Sequence, residues 1–196
     1  MRCRWCDTKY AWAQDGGDEC EIHEIVQRVE QWQCHHVVIT GGEPMVSREL
    51  PELTKAIKDI GKHITVETAG IVFVPDLSCD LMSISPKLSN STPTDHKQAA
   101  EHQMVRLNLS VLQKLIDSYD YQLKFVVDSE ADLPEIAEVL SKLSGVDRDK
   151  VMLMPQAARR DELLAKSPMV AELCKRTGFA FCPRLHILLW NALRGT

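Results

Sequence analysis

The sequence predicts an α/β fold in which a parallel sheet is covered by helices. Short apolar runs alternate with amphipathic segments, and the alternation repeats about every thirty residues. The length of 196 residues suits a single domain spanning residues 1–196. Right-handed crossovers between successive strands would curl such a sheet in one direction. They would also collect ligand-binding loops at the carboxyl ends of the strands.

The individual elements follow from the spacing of apolar residues. Helical spacing predicts helices over residues 22–33, 49–60, 109–119, 133–143 and 161–176. Short apolar runs predict strands over residues 36–40, 63–67, 81–85, 121–127, 151–154 and 179–181. Because these runs are nearly continuous, we expect both faces of the sheet to be buried. The polar segment 89–103 predicts a loop or a loosely held lid.

Composition excludes several classes of function. The formal net charge is −5 and no lysine or arginine block occurs, which argues against a nucleic-acid groove. No apolar run approaches the roughly 20 residues that a membrane span needs. Seven cysteines, an odd number, without a secretory segment indicate free thiols in a reducing compartment. We therefore expect a cytoplasmic protein that binds neither nucleic acid nor membrane.

Two segments carry the strongest chemical signals. Cys3 and Cys6 form a Cys-x-x-Cys pair, which alone is compatible with zinc, redox or iron–sulfur chemistry. A zinc site needs two more ligands, and the sequence has no second pair of this kind. Gly41, Gly42, Glu43 and Pro44 follow the predicted strand 36–40, where glycine lets a ligand lie against bare backbone.

Further polar segments follow other predicted strands. Glu67 and Thr68 come at the end of the second strand, the Ser85-Pro86-Lys87 segment after the third, and the Met154-Pro155-Gln156 segment after the fifth. The carboxyl ends of parallel strands share one edge of a sheet. The sequence therefore predicts one active site at that edge.

Together these motifs resemble the 7-carboxy-7-deazaguanine synthase family of radical S-adenosylmethionine enzymes. The matching pieces, in the family's order, are residues 3–10, 40–44, 67–70, 85–87 and 184–186. The resemblance implies an incomplete (β/α)6 radical-SAM barrel with mostly parallel strands. It implies conversion of 6-carboxy-5,6,7,8-tetrahydropterin to 7-carboxy-7-deazaguanine and ammonia by radical ring contraction. It also implies a homodimer and a flavodoxin-type electron donor.

The resemblance also implies a role for each matched residue. Cys3 and Cys6 would bind a [4Fe-4S] cluster, and Thr8 would place an oxygen on Mg²⁺, a cation that prefers hard oxygen ligands. S-adenosylmethionine would be bound by Trp5, Cys6, Asp7, Gly41, Gly42, Glu43, Ser85, Pro86, Lys87, Met154, Pro155 and Gln156. The pterin substrate would be bound by Thr40, Thr68, His186 and Thr196.

One departure from the family pattern keeps alternatives open. The pattern is Cys-x-x-x-Cys-x-x-Cys, and its first cysteine would fall two residues before Met1. We expect Met1 to be an internal residue of a longer protein, and the strand leading into that cysteine to be absent from this chain. A glycyl-radical activating enzyme would share the cysteines and Gly41–Pro44 without needing Thr8. A catalytically impaired protein that binds S-adenosylmethionine or pterin is the other alternative.

Overall fold

A parallel sheet forms the centre of the molecule in this computed structural model, which describes residues 1–6, 8–9, 17–191 and 193. The strands in the described part are β1 (His36–Ile39), β2 (His63–Thr68), β3 (Leu81–Ile84), β4 (Tyr121–Val127), β5 (Val151–Pro155) and β6 (Ala180–Phe181). Each strand pairs in parallel with the next one along the chain, so the order is β1-β2-β3-β4-β5-β6. The predicted α/β class with a parallel sheet is confirmed.

Helices connect these strands and cover one side of the sheet. They are α1 (Ile22–Glu30), α2 (Leu50–Asp59), α3 (His96–Val105), α4 (Leu109–Ser118), α5 (Leu133–Ser141), α6 (Arg160–Thr177) and α7 (Leu185–Trp190). The five predicted helices are all present. Their ends carry the expected signals: Asn108 caps α4 through its side chain, and Gly178 ends α6 in a left-handed conformation. None of the described helices is both long and apolar enough to cross a membrane.

The hydrophobic core lies between the sheet and its helices. Val66, Ile84 and Phe125 from the strands join Leu112 and Leu173 from the helices in one buried cluster. The opposite side of the sheet, which we call the inner face, is much more polar. Along β2 the residues alternate between half-buried and fully buried. The prediction that both faces are buried holds for most of β3 and β4 but not for β2 and β5, where alternate residues are only half-buried.

The segment 89–103 is not a loose loop, which corrects the prediction made for it. Residues Ser89–Ser91 form a short 3-10 turn, and α3 begins at His96. The Asp95 side chain caps this helix by accepting a hydrogen bond from the Gln98 amide at 2.9 Å. Because α3 lacks an apolar stripe, its spacing did not predict a helix. Tertiary contacts hold it, including the buried His102 ring, which lies 2.8 Å from the Ser91 hydroxyl.

The short helix α7 was also not predicted. It packs on α6 through Ile187, which joins Leu163 and Ala157 in a small second cluster. The Arg160 guanidinium donates hydrogen bonds to the Leu188 and Leu189 carbonyls at 2.7 Å each. A helix of six residues is too short to show a clear apolar period, so these contacts and not the local sequence define it.

Candidate functional site

The predicted site residues meet at the carboxyl edge of the sheet. Thr40 directly follows β1, Thr68 ends β2, Ser85 follows β3 and Gln156 follows β5. The parallel order of the strands places all of these positions on the same edge. The topology thus brings together four segments that lie far apart in the sequence.

A rigid carboxylate lies in the loop after β1. Glu43 Oε1 accepts hydrogen bonds from the Thr68 hydroxyl at 2.7 Å and from the Met45 amide at 3.2 Å. Glu43 Oε2 accepts from the Ala69 amide at 2.8 Å. The Thr68 hydroxyl in turn accepts from the Gly70 amide at 3.0 Å. We call this group the Glu43 clamp, because it joins the loop after β1 to the end of β2.

The two glycines before Glu43 keep the backbone of this loop open. Gly41 has a φ angle of +151°, which a residue with a side chain adopts only under strain. Both Gly41 and Gly42 are exposed, and Pro44 starts the 3-10 turn Pro44–Val46. Backbone groups of the loop are therefore accessible to a ligand beside the Glu43 clamp.

Both cysteines of the pair lie on one tight turn, residues 3–6, which we call the cysteine turn. The Cys6 amide donates to the Cys3 carbonyl at 3.1 Å. The indole Nε1 of Trp5 donates to the Asn90 carbonyl at 3.1 Å, which docks the turn on the segment after β3. Cys3 is buried, whereas Cys6 is half-buried.

An ionic network also docks the cysteine turn. The Arg4 guanidinium donates to Asp128 Oδ2, after β4, at 3.0 Å. The Lys166 ammonium donates to the other oxygen of Asp128 and, at 2.7 Å, to the side-chain oxygen of Gln156. The Gln156 amide donates to the Val127 carbonyl at 2.8 Å. Of these side chains, only Gln156 was in the predicted site. Asp128 and Lys166 were not, because single charged residues are common in loops and helices and carry no motif signal.

Lys87 is held back against its own loop. Its ammonium donates to the Ser85 carbonyl at 2.8 Å and to the Ser85 hydroxyl at 2.7 Å. Burial lowers the pKa of Lys87, and the nearby Lys124 lowers it further, while Cys3 acts in the opposite direction. Burial disfavours the charged form of Cys3 as well, so it raises the pKa of the thiol, and the nearby Lys87 opposes that change. Cysteine binds a metal as the thiolate, so Cys3 would lose its proton on binding.

A second polar group occupies the inner face, and of its members the sequence had pointed to Thr40 and Glu67 but not to Lys124. The Lys124 ammonium donates to Glu67 Oε1 at 2.6 Å, and the Thr40 hydroxyl approaches Glu67 Oε2 at 3.4 Å. Nearby, the Gln122 side chain donates to the Ser83 hydroxyl at 2.9 Å. The sequence signal for this group was the polar residue at alternate positions of otherwise apolar strands.

The remaining predicted residues are less closely tied to this edge. The Thr8 hydroxyl lies 3.4 Å from the Cys6 sulfur, so it belongs to the same region as the cysteine turn. His186 is exposed on α7. Pro86 and Pro155 are buried, and Met154 is half-buried. Asp7 and Thr196 lie outside the described residues.

Fold and site together define a protein of the radical S-adenosylmethionine class. The sequence profile of the Radical SAM superfamily matches residues 1–86, which contain the cysteine turn and the Glu43 clamp. The 7-carboxy-7-deazaguanine synthase of Rhodopirellula baltica is 40% identical over 200 residues, covering 100% of this chain and 77% of its own. The 7-carboxy-7-deazaguanine synthase of Halobacterium salinarum is 36% identical, and the match covers 97% of this chain and 79% of that protein. The chain belongs to the 7-carboxy-7-deazaguanine synthase family, which confirms the resemblance seen in its motifs.

Solved structures share this fold. The crystal structure of QueE from Escherichia coli superposes with a TM-score of 0.66 at 20% identity, covering 93% of this chain and 80% of that chain. The crystal structure of Streptococcus suis SuiB bound to S-adenosylmethionine gives a TM-score of 0.56 at 13% identity, covering 96% and 46%. At these identities the likeness concerns the fold alone.

The radical SAM family implies a four-iron cluster and S-adenosylmethionine, and the two groups fit this structure to different degrees. The Glu43 carboxylate, the open glycine backbone and the Lys87 ammonium are suited to the amino and carboxylate groups of S-adenosylmethionine. The soft thiol ligands that iron–sulfur clusters require are present at Cys3 and Cys6. Within the described residues no third cysteine, histidine or carboxylate joins them. The chain as described therefore offers two of the family's three cluster ligands.

Proposed function

We propose that this chain is a radical S-adenosylmethionine carbon–nitrogen lyase. It converts 6-carboxy-5,6,7,8-tetrahydropterin to 7-carboxy-7-deazaguanine and ammonia. The observation that carries the proposal is the meeting of the cysteine turn, the Glu43 clamp and Lys87 at one strand edge, in a chain of this family. Held by Cys3, Cys6, Glu43 and Lys87, the cluster and S-adenosylmethionine would supply radical chemistry for removing a hydrogen atom from the substrate, with the electron coming from an external donor.

Residues of the edge bind and orient S-adenosylmethionine in this proposal. Gly41 and Gly42 offer backbone carbonyls, and Glu43 a carboxylate, to the amino group of the cofactor. Ser85 and Lys87 bind its carboxylate and ribose, for which Lys87 exchanges its present contact with Ser85. The residues nearest the adenine and the cluster are Trp5, Cys6, Pro86, Met154, Pro155 and Gln156.

A magnesium ion positions the substrate in this proposal. Mg²⁺ prefers hard oxygen ligands and keeps several of its waters, so one protein oxygen together with substrate oxygens suffices. The Thr8 hydroxyl supplies that oxygen next to the cysteine turn. Thr40 and His186 contact the substrate. Thr68 contributes through its remaining lone pair, because its other bonds hold Glu43 and Gly70.

We also propose the setting in which the enzyme works. A flavodoxin-type protein donates the electron, and two copies of the chain form a homodimer. The free thiols of Cys3 and Cys6 suit a reducing compartment, and the cytoplasm is the compartment we propose. The substrate is a small molecule, so the reaction needs no nucleic acid or membrane.

Product formation tests the main proposal. The chain is reconstituted anaerobically with iron and sulfide and incubated with S-adenosylmethionine, Mg²⁺, dithionite and 6-carboxytetrahydropterin. Because the described residues offer two of the family's three cluster ligands, we expect cluster loading well below one per chain and a correspondingly low yield of 7-carboxy-7-deazaguanine by mass spectrometry. A matched reaction with the Cys3→Ala/Cys6→Ala double variant should form none. Equal product from both proteins would contradict the proposal.

Among the residues that the structure describes, two thiols converge without a third ligand, and this favours a second candidate function. A chain that binds S-adenosylmethionine and the pterin without a complete cluster would keep the Glu43 clamp and lack turnover. The visible absorption of the reconstituted chain separates the two candidates. Full cluster absorption with turnover supports the enzyme, whereas ligand binding without that absorption supports the binding protein.

A further inference from the structure

We propose that Arg106 and Glu135 are positioning residues for S-adenosylmethionine, an inference that rests on the function proposed above. The two side chains form a largely buried ion pair beside residues 87–91, which we call the docking segment. Lys87 begins this segment, and the cysteine turn contacts its other end. Neither Arg106 nor Glu135 lies in the segments that match the family motifs.

The ion pair joins two helices. Arg106 directly follows α3, and Glu135 lies in the first turn of α5. Arg106 Nη1 donates to Glu135 Oε1 at 2.8 Å, and Arg106 Nε donates to the side-chain oxygen of Gln103, also at 2.8 Å. The side chains of the pair are only 10% and 20% exposed. The guanidinium plane is therefore fixed by two partners, in a setting where solvent and salt screen the charges little.

The pair holds the start of the docking segment on both sides of Leu88. Arg106 Nη1 also donates to the Lys87 carbonyl at 2.8 Å. Glu135 Oε2 accepts from the Ser89 amide at 2.9 Å and from the Ser89 hydroxyl at 2.6 Å. Leu88 itself is 1% exposed and belongs to the hydrophobic core. These bonds determine the backbone position from which the Lys87 side chain extends.

The cysteine turn docks on the far end of the same segment. The indole Nε1 of Trp5 donates to the Asn90 carbonyl at 3.1 Å, and the Arg4 amide donates to the Ser91 carbonyl at 2.9 Å. The Ser91 hydroxyl donates to the Leu88 carbonyl at 2.6 Å, within the 3-10 turn of this segment. One braced segment therefore links the cysteine turn to the residue proposed to bind the carboxylate of S-adenosylmethionine.

Arginine is suited to this position in a way that lysine is not. The planar guanidinium donates to the Glu135 carboxylate and to the Lys87 carbonyl at once, whereas an ammonium is a compact point charge. The ammonium of Lys87 lies at the end of a flexible four-carbon chain, so its contact with a ligand depends on where its backbone is held. In the proposed complex it leaves Ser85 for the cofactor carboxylate. A shift of the docking segment should therefore weaken the carboxylate contact selectively.

Binding of two related ligands tests this role. Decarboxylated S-adenosylmethionine keeps the adenosine and the amino group but lacks the carboxylate. Isothermal titration calorimetry on the anaerobically reconstituted chain measures the affinity of both ligands. We expect Arg106→Lys to weaken binding of S-adenosylmethionine about 10-fold, and binding of the decarboxylated ligand less than about 2-fold. Arg176→Lys, in the exposed pair with Glu130, is the matched control and should change neither affinity.

A second variant keeps the inference testable if Arg106→Lys impairs folding. Removing one member of a buried pair leaves a charge without its partner, so the double variant Arg106→Gln/Glu135→Gln removes both charges. It should show the same selective loss of S-adenosylmethionine affinity. Thermal unfolding confirms that each variant is folded, and the affinities are compared at matched iron content.

The outcomes separate this role from the proposed function. Equal weakening of both ligands in the variants would show a general loss of structure, and no weakening would show no role, so either result overturns the positioning role and leaves the proposed function intact. Equal affinity of the unaltered protein for the two ligands would also overturn it. If the unaltered protein binds neither ligand, the proposed function fails, and the positioning role fails with it.

Discussion

The Thr68 hydroxyl donates to Glu43 Oε1 at 2.7 Å and so joins the loop after β1 to the end of β2. Because the same hydroxyl accepts from the Gly70 amide, its orientation is determined from both sides. Glu43 also accepts from two backbone amides, at Met45 and Ala69. The carboxylate is thereby oriented before a ligand arrives. Binding therefore costs less side-chain conformational entropy.

Thr68→Val should weaken S-adenosylmethionine binding, because it keeps the shape of the side chain and removes the hydroxyl that orients Glu43. A hydrogen bond to a charged group contributes about 1.5–3 kcal/mol, so we expect a loss of roughly 10-fold or more in affinity. Isothermal titration calorimetry measures it. Thr177→Val on α6 removes a hydroxyl bonded to the Leu173 carbonyl at 2.8 Å and is the control. Equal affinity of both variants would refute the role of Thr68.

Gly70→Ala should destabilise the fold strongly. Gly70 has a φ angle of +72°, and an added Cβ would lie 2.3 Å from the Leu112 side chain. Gly145 has a similar φ of +67° with nothing within 4 Å of an added Cβ. Gly145→Ala therefore reports the backbone strain alone, about 1 kcal/mol, whereas Gly70→Ala adds overpacking of about 1–3 kcal/mol. Urea unfolding of both variants measures the difference. Equal losses of unfolding free energy would show that the Leu112 side chain moves aside without a measurable penalty.

Asp128→Asn should loosen the cysteine turn. Asp128 accepts from Arg4 and Lys166, so its charge links the turn to β4 and α6. Local opening should then expose the buried Cys3, and we expect its alkylation by iodoacetamide to accelerate roughly 3- to 10-fold. Peptide mass spectrometry follows the reaction. Asp161→Asn breaks an exposed pair with Arg159 and is the matched control. No acceleration beyond that control would mean that Asp128 does not hold the turn.

Thr8→Ala should lower turnover and weaken its response to Mg²⁺, if the threonine oxygen positions the ion as proposed. Misplacing a reacting group by about 1 Å can cost on the order of 100-fold in rate. Thr8→Ser retains the hydroxyl and should keep much of the activity. Steady-state rates at several Mg²⁺ concentrations provide the measurement, and S-adenosylmethionine binding should not change in either variant. Normal turnover of Thr8→Ala with the same magnesium response would assign Thr8 a purely structural role.

Asp80→Asn should make stability less dependent on pH. The hydrogen bond from the Lys58 ammonium, and then that from the Ile64 amide, lower the pKa of Asp80. A carboxyl group whose pKa is lower in the folded state adds stability above its unfolded pKa of about 3.9. That stability disappears as the pH falls through the folded pKa. At pH 7 the variant should thus be less stable than the unaltered protein by about 1 kcal/mol. In strong acid the two proteins should have similar stability.

Urea unfolding between pH 2 and pH 7 checks this expectation. Asp59→Asn, at an exposed carboxylate near the end of α2, is the control and should show a smaller change at every pH. If Asp80→Asn lowers the free energy of unfolding equally at pH 2 and pH 7, the charge of Asp80 does not contribute to stability.

Most of the fold was predictable because the central elements have clear periods. The strand prediction for residues 121–127 matches β4 at both ends, and the helix predicted over 109–119 differs from α4 by one residue. Elements without an apolar period were not predicted. Segment 89–103 was predicted to be a loop, yet α3 is held there by its Asp95 cap and by the Arg106 guanidinium, which donates to the Lys87 carbonyl at 2.8 Å.

The sequence by itself determined the family, the parallel direction of the strands and the edge at which the site lies, since motif spacing and strand periodicity are local properties of the chain. Tertiary structure alone decided which polar side chains meet. Lys124 and Glu67 are 57 positions apart, and their pairing depends on strand register across β3. Arg4 and Asp128 are 124 positions apart and meet only because the cysteine turn docks on the sheet. Such contacts depend on how the strands and loops are arranged in space, which local spacing does not encode.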